Sequence, residues 1–297
     1  MMADDELTEG IRSVLEKRFP GRPVRIVSLG NRGTSRLFRA DTAEGEWFVK
    51  YPDDCSRMYP VLALAGRDCP YLAESAFPSP VPLADGFVSC VRYRPSAQVP
   101  PERWTDGQLD SFIKAYRGFS EVLSKTVDTG PMEDDGAFFA VISGYAARHP
   151  LARPLLQALL EIPAEERTYP AGASLVVTHG DLHSANYGFE GGDFAQFYDL
   201  DNILPGFTGD DLAYTVLDRA QRSSVGRRGF RRCVEVLRRF VAEFGGRPSE
   251  WRIAVNRKRI RQAASKLSRR PNSLVSAVDV FRHDRRAVRL MREAGLT

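Results

Sequence analysis

The sequence predicts an α+β protein in which a small N-terminal antiparallel sheet lobe precedes a larger, mostly helical C-terminal lobe. Short strand-like runs, separated by turn residues, recur between residues 24 and 91. A proline-rich stretch at 94–101 is typical of a linker, and apolar residues recur at helical spacing beyond it. We therefore predict two lobes, 1–94 and 95–297, each long enough to bury its own core.

Two helices and five strands are predicted in the N-terminal lobe, separated by turn residues. Residues 7–19 carry apolar side chains at helical spacing, and Pro20-Gly21 ends that helix. The predicted strands are 24–29, 36–41, 47–51, 81–83 and 87–91, with a further short helix at 57–65. Glycine-containing turns between successive runs favour antiparallel pairing.

The C-terminal lobe is predicted to contain helices that flank one strand–loop–strand segment. Helical spacing of apolar residues is found at 109–123, 138–148 and 151–160, and again from Asp211 to the end. A strand at 174–178 leads into a loop at 179–186, and a second strand follows at 194–198. The second strand can pair with the residues that come directly after the loop.

Composition excludes several classes of protein. No apolar run approaches the roughly 20 residues that span a bilayer, and the acidic N-terminus does not resemble a secretory signal, so we expect a cytoplasmic protein. The cysteines are scattered, which argues against a zinc site or a disulfide framework and favours reduced thiols. They are Cys55, Cys69, Cys90 and Cys233.

Charge is distributed unevenly although the net charge is only +4. From Arg219 to the end, 22 Lys and Arg residues stand against 6 Asp and Glu residues. This excess indicates either an anionic partner or, as we favour, solvated helix faces. The run Arg257-Lys258-Arg259-x-Arg261 has few interleaved aromatic residues, so we expect a solvated face there and no nucleic-acid partner.

The segments 177–186 and 197–201 contain the candidate catalytic and metal-binding residues. Phosphoryl transfer needs magnesium with oxygen ligands and a carboxylate that orients the attacking hydroxyl. Asp181 and Asn186 share one loop, and Asp199 ends a strand that can form a hairpin just after that loop. Asp181 can therefore accept the hydroxyl proton, while Asn186 and Asp199 can offer oxygen atoms to Mg²⁺.

The pattern His179-x-Asp181-x-x-x-x-Asn186, followed by Asp199, resembles the aminoglycoside phosphotransferase and choline kinase family, a branch of the protein-kinase-like fold. The resemblance implies a two-lobed fold, Asp181 as the catalytic base, and Asn186 and Asp199 as magnesium ligands. Gly209-Asp210-Asp211-Leu212-Ala213 is similar to a segment in which the Asp opens a helix and braces the catalytic loop. We expect supporting roles for Asp211, His179 and Asp201, whereas His183 is explained equally by substrate contact and by loop polarity.

The turn between the first two strands is a candidate phosphate-binding loop. Gly30 and Gly33 would let the backbone approach phosphates, and Thr34 and Ser35 could donate hydroxyl hydrogen bonds. No Gly-Lys-Ser/Thr follows, so this is not a Walker loop.

Two further nucleotide contacts are implied by position in a kinase-like fold. Lys50 ends the third strand, where such folds carry the lysine that pairs with the α- and β-phosphates. Its acidic partner is not evident, the candidates being Asp53, Asp54, Asp68 and Glu74. Cys90, Val91 and Tyr93 would form the hinge that recognises the purine, and the sequence does not distinguish ATP from GTP.

We therefore expect a Mg²⁺-dependent phosphotransferase that uses ATP or GTP and a small-molecule hydroxyl acceptor, an aminoglycoside antibiotic being one candidate. Acidic residues at 133–135, 161 and 165–166 would suit such a polycation, whereas the basic segment 252–292 would suit an anionic sugar or a lipopolysaccharide-type glycolipid. A nucleotide-binding pseudokinase or regulatory module is a third possibility. Protein kinase activity is not expected, because only nine residues separate Asp201 from Asp211. The sequence leaves the oligomeric state open.

Overall fold

The computed structural model describes residues 4–32, 35–51, 69–79, 81–126, 135–170, 173 and 175–297. The chain forms two compact units. The first comprises Met1–Ala97, Lys114–Asp128 and Tyr187–Ile203, and the second comprises Gln98–Ile113, Thr129–Asn186 and Leu204–Thr297. The lobe boundary at residue 94 stays a prediction, and the helix predicted at 57–65 lies outside the described residues.

The described elements confirm the predicted α+β class, with a sheet in the N-terminal part and mostly helices in the C-terminal part. In chain order they are α1 (Asp4–Arg18), β1 (Arg25–Arg32), β2 (Ser35–Thr42), β3 (Gly45–Tyr51), β4 (Val81–Leu83), β5 (Gly86–Arg92), α2 (Asp106–Thr126), α3 (Gly136–Arg148), α4 (Arg153–Leu160), β6 (Val176–Thr178), β7 (Tyr187–Glu190), β8 (Asp193–Phe197), β9 (Leu204–Gly206), α5 (Thr208–Ala220), α6 (Arg227–Phe244), α7 (Pro248–Arg269) and α8 (Leu274–Ala294).

The first unit is built on a five-stranded antiparallel sheet with the strand order β1-β2-β3-β5-β4. The apolar stripe of α1 covers one face of the sheet, with Phe19 and Trp47 ring centroids 4.8 Å apart. Burying each such large apolar side chain contributes about 1.5–3 kcal/mol. Side chains alternate along β3, so Trp47 and Val49 are buried in this core while Lys50 points to the opposite face.

A hairpin of β7 and β8 belongs to the same unit and ends just before Asp199. Phe197, the last residue of β8, is buried and its ring centroid lies 4.5 Å from that of Phe119 on α2. Tyr116, one turn earlier on α2, contacts the same ring edge-on. Aromatic packing thus fixes the end of the hairpin.

The second unit is mostly helical. Its short strands β6 and β9 pair antiparallel, and the loop 179–186 follows β6 directly. A core of buried apolar residues joins α3, α4, α7 and α8. No helix among the described residues combines the length and the apolar character that crossing a bilayer requires.

The prediction of a solvated basic face at 257–261 is wrong for Arg257 and Arg259. These two side chains are 3% and 6% exposed. Arg257 lies 3.0 Å from Asp135, and Arg259 lies 2.7 Å from Asp284. Paired carboxylates offset the cost of burying the guanidinium groups, so the helix can turn these arginines inward.

Much of the C-terminal basic excess is neutralised in the same way, within the second unit. Further ion pairs in this unit include Arg219–Glu102, Arg222–Asp218, Arg232–Asp106, Arg239–Asp110, Arg247–Glu250, Arg252–Glu166, Arg261–Asp135 and Arg289–Glu293. Several of these carboxylates come from the acidic N-terminal part of the chain. Part of the charge asymmetry along the sequence is therefore explained by ion pairs between the basic C-terminal part and carboxylates that come earlier in the chain.

Candidate active site

The loop 179–186 is held at its start by Asp211, in the first turn of α5. The Asp211 carboxylate accepts hydrogen bonds from the backbone N–H groups of His179 at 2.7 Å and Gly180 at 2.9 Å. Asp211 is 1% exposed, so both bonds are shielded from water. Gly180 adopts a φ of +78°, which a residue with a side chain rarely adopts. These bonds hold the start of the loop, and the supporting role expected of Asp211 stays a prediction.

Asn186 is tied to Asp181 through its side chain. Its Nδ2 donates to the backbone carbonyl of Asp181 at 2.8 Å, and its backbone N–H donates to the carbonyl of His183 at 2.8 Å. A carbonyl can only accept, so the first bond fixes which end of the amide is nitrogen. The amide oxygen of Asn186 is therefore the end turned away from the Asp181 carbonyl.

The Asp181 carboxylate remains partly accessible, with 32% of its side chain exposed. The Nε2 atom of His183 lies 3.6 Å from Asp181 Oδ2, and Nδ1 of the same ring accepts the Ala185 N–H at 3.1 Å. Because Nδ1 accepts, the proton of the neutral ring resides on Nε2, facing the carboxylate. His183 is thus placed beside Asp181. His179 is fully buried, and its Nδ1 accepts the Asp181 N–H at 3.4 Å.

Two residues near Asp181 were not predicted from sequence to belong to the site. They are Tyr214 on α5 and Lys258 on α7. Burial, the charge of Asp181 and a hydrogen bond to that carboxylate raise the pKa of Tyr214. Lys258 Nζ lies 3.4 Å from the carbonyl oxygen of Gly180 and 3.3 Å from the centroid of the Tyr214 ring. The sequence did contain a signal that Lys258 lies on the inner face of its helix, because it follows the buried Trp251 and Val255 at helical spacing.

The first unit brings together Lys50, Asp199 and Asp201. The Lys50 ammonium forms an ion pair with the Asp201 carboxylate, and its Nζ lies 3.4 Å from Asp199 Oδ1. Asp199 has a φ of +53° and a ψ of +62°, the left-handed conformation, directly before the helical turn Leu200–Asn202. For a residue other than glycine this conformation costs about 1–2 kcal/mol, which the surrounding packing must offset.

The acidic partner of Lys50 that the sequence left open is therefore, among the described residues, supplied from the end of the β7–β8 hairpin. Glu74, one of the candidates, instead pairs with Arg92 at 2.6 Å. The candidates Asp53, Asp54 and Asp68 lie outside the described residues. Asp201 was expected to support the site; it pairs with Lys50, and its supporting role stays a prediction.

The strands that flank the candidate phosphate loop, β1 and β2, remain paired as far as Arg32 and Ser35. Gly30 lies at a bulge in β1 with a φ of +90°, so glycine is required there by backbone conformation. Ser35 is buried at the start of β2. Gly33 and Thr34 lie outside the described residues, so their predicted contacts remain expectations.

The predicted hinge lies at the end of β5, where part of its backbone is already paired. The carbonyl of Cys90 accepts the Ala76 N–H at 2.8 Å, and the Tyr93 N–H donates to the Glu46 carbonyl at 3.0 Å. The Cys90 side chain is fully buried. A purine would have to pair with other groups of this segment, and the assignment of Cys90, Val91 and Tyr93 stays a prediction.

Comparison with known proteins identifies the fold. No protein-family model matches the chain, and no curated protein sequence is significantly similar to it. Solved structures do match. A spectinomycin phosphotransferase in complex with ADP and spectinomycin is 10% identical with a TM-score of 0.64, over 97% of this chain and 98% of that one.

Two further structures agree with the first. An aminoglycoside 2′-phosphotransferase mutant in complex with GDP is 14% identical with a TM-score of 0.64, over 95% of this chain and 97% of that one. An aminoglycoside phosphotransferase from Streptomyces rimosus is 18% identical with a TM-score of 0.55, over 88% of this chain and 99% of that one. The chain therefore has the protein-kinase-like fold of the aminoglycoside phosphotransferases.

Proposed function

We propose that this protein is a Mg²⁺-dependent phosphotransferase that moves the γ-phosphate of ATP or GTP to a hydroxyl group of a small molecule. The observation that carries the proposal is the braced loop 179–186. In it Asp181 keeps an accessible carboxylate while Asn186, five residues later, has its amide oxygen turned away from the Asp181 carbonyl. Phosphoryl transfer requires a proton acceptor and an oxygen ligand for the metal, both held in a fixed orientation.

Asp181 is assigned the role of base. It would accept a hydrogen bond from the acceptor hydroxyl and take its proton as the oxygen attacks the γ-phosphorus. The bond from phosphorus to the β–γ bridging oxygen breaks, and the nucleoside diphosphate leaves. His183 Nε2, 3.6 Å from Asp181 Oδ2, would keep the carboxylate in place while this happens.

The donor atoms fit magnesium. Asn186 and Asp199 offer hard oxygen ligands, and Mg²⁺ needs only one or two such groups because it keeps waters and binds phosphate oxygens. When bound, the ion would neutralise charge on the β- and γ-phosphates. In the part of the chain that the structure describes, no three His, Cys, Asp or Glu residues cluster as a metal site of their own. Lys50 and the candidate phosphate loop would contact the nucleotide phosphates.

The proposed class of acceptor is supported by the comparisons more than by charge. The solved phosphotransferases with this fold include enzymes bound to spectinomycin and to hygromycin B, so aminocyclitol and aminoglycoside antibiotics are the first candidates. Two carboxylates expected to bind a polycation are occupied, Asp135 by Arg257 and Glu166 by Arg252. Arg257 and Arg259, which favoured an anionic sugar, are occupied as well.

The test is release of ADP and GDP by the wild type and Asp181→Ala with Mg²⁺, across aminoglycosides, macrolides, amino alcohols and anionic sugars. We expect one acceptor class to stimulate release in the wild type only, with a phosphorylated acceptor visible by mass spectrometry. Nucleotide binding that no acceptor converts into release, under any Mg²⁺ concentration, would favour the pseudokinase or regulatory module instead.

A further inference from the structure

Lys258 differs from the arginines beside it on α7. Arg257 and Arg261 pair with Asp135, and Arg259 pairs with Asp284. Within the described residues, no carboxylate oxygen lies within ion-pair distance of Lys258. Its Nζ instead faces the carbonyl oxygen of Gly180 at 3.4 Å and the Tyr214 ring at 3.3 Å from the centroid.

Holding an ammonium group in this position is costly. Burial lowers the pKa of Lys258 to about 8, because the charged form loses its hydration. The carboxylate charges of Asp181, Asp211 and Asp210 oppose this effect, and the nearby Arg261 adds to it. The cation–π contact with the Tyr214 ring is attractive and offsets part of this loss of hydration. The partly desolvated ammonium group lies beside the candidate catalytic loop, and this combination indicates that the lysine has a functional role.

Both contacts of Lys258 lead to Asp181. Gly180 precedes Asp181 in the loop, and its carbonyl belongs to the peptide unit that carries the Asp181 N–H. Burial and the nearby Asp181 carboxylate raise the pKa of the Tyr214 hydroxyl, so the ring under the ammonium also lies beside Asp181. Movement of Lys258 would therefore disturb the backbone and the side chain of Asp181 together.

We propose that Lys258 is a positioning residue for Asp181, and that its ammonium group must be protonated for full activity. The inference rests on the proposed function of Asp181 as the base. A neutral amine would lose the electrostatic attraction to the Asp181 carboxylate and weaken the contact with the Tyr214 ring. The groups that face the ammonium are Asp181 and the Gly180 carbonyl from the loop, Asp210, Asp211 and Tyr214 from α5, and Arg261 from α7.

The kinetic test compares wild type, Lys258→Met, Lys258→Arg and Lys266→Met, using the best acceptor found. Lys266 is a matched control, a half-buried lysine two turns further along α7 and away from the loop. We expect kcat of Lys258→Met to fall by about tenfold or more, with an unchanged KM for nucleotide and wild-type behaviour in Lys266→Met. In the wild type kcat should decline above about pH 8, and Lys258→Arg, which stays charged, should lack that decline.

A second readout does not depend on activity. The titration of the Lys258 side chain, followed by NMR of lysine ε-carbons, should move to lower pH in Asp181→Asn, because an attraction that favours the ammonium is removed. Wild-type kcat and pH profile in Lys258→Met, or an unmoved Lys258 titration in Asp181→Asn, would overturn the positioning role. A wild type that transfers phosphate to no acceptor would refute the proposed function instead, while the NMR comparison still decides whether Lys258 senses Asp181.

Discussion

The side-chain amide of Asn186 donates a hydrogen bond to the backbone carbonyl of Asp181 at 2.8 Å. This bond links the candidate base to the candidate metal ligand through the protein itself. It also sets the direction of the amide, because the acceptor is a carbonyl oxygen. Orientation of a ligand before the metal binds reduces the cost of ordering the site on binding.

The Asn186–Asp181 bond makes Asn186→Asp a sharp test. A carboxylate is the stronger magnesium ligand, but its second oxygen would face the Asp181 carbonyl and repel it. We expect activity to fall by about tenfold or more, since an unsatisfied buried acceptor costs about 1–3 kcal/mol. Steady-state kinetics over a Mg²⁺ titration provides the measurement. Full activity restored by additional Mg²⁺ would show that the amide's hydrogen bond is dispensable.

Asp211→Asn should destabilise the protein as well as the loop. An amide retains one acceptor oxygen and presents an N–H₂ group to the second backbone donor, so one of the bonds to His179 and Gly180 is lost. We expect the free energy of unfolding to drop by about 2–3 kcal/mol, measured by urea denaturation. Asp218→Asn, on the same helix and paired with the half-exposed Arg222, should cost about 0.5 kcal/mol or less. Equal losses of unfolding free energy in the two variants would show that Asp211 does not stabilise the loop more than an ordinary surface carboxylate stabilises its helix.

The contacts of Lys50 predict that Asp201 matters for nucleotide use and Glu74 does not. Asp201→Asn removes the carboxylate that pairs with Lys50, so kcat/KM for the nucleotide should fall by about tenfold. Glu74→Gln breaks only the pair with Arg92 and should leave kcat/KM within about twofold of the wild type. The reverse pattern, a loss in Glu74→Gln alone, would identify Glu74 as the functional partner.

The half-buried Lys258 predicts how stability depends on pH. Its pKa in the folded protein is about 8, below its ordinary value of 10.5, so between these values the unfolded chain binds more protons than the folded one. The free energy of unfolding from this group therefore rises with pH across that window. Relative to Lys258→Met, the wild type should gain stability between about pH 7.5 and pH 10 in urea denaturation. A difference that stays constant with pH would show that Lys258 is not held in a desolvated position.

The sequence was most informative where function depends on local spacing. Asp181 and Asn186 lie in one short loop, and Asp211 lies in the first turn of the next long helix. A sequence motif can therefore predict the roles of these residues and that they lie close together. The strand 47–51 and the position of Lys50 near its end were likewise predicted from sequence, and β3 covers Gly45–Tyr51. Periodicity of this kind is imposed by backbone geometry and needs no knowledge of the tertiary fold.

Contacts between distant segments could not be predicted in the same way. Lys258 is 77 residues from Asp181 and sits in an arginine-rich run that suggested a solvated face. Its burial depends on how α5 and α7 pack, and on carboxylates such as Asp135 that neutralise the arginines beside it. The ion pair of Lys50 with Asp201 spans 151 residues and is equally invisible to local pattern.

The most direct test of the central claim is to compare Mg-ATP affinity and turnover in wild type and Asp181→Ala, with the best acceptor. Asp181 is proposed to handle the hydroxyl proton and not to hold the nucleotide. Affinity measured by calorimetry should therefore stay within about threefold, while turnover falls by about 10²–10⁴-fold. An Asp181→Ala protein that turns over at the wild-type rate would contradict the account.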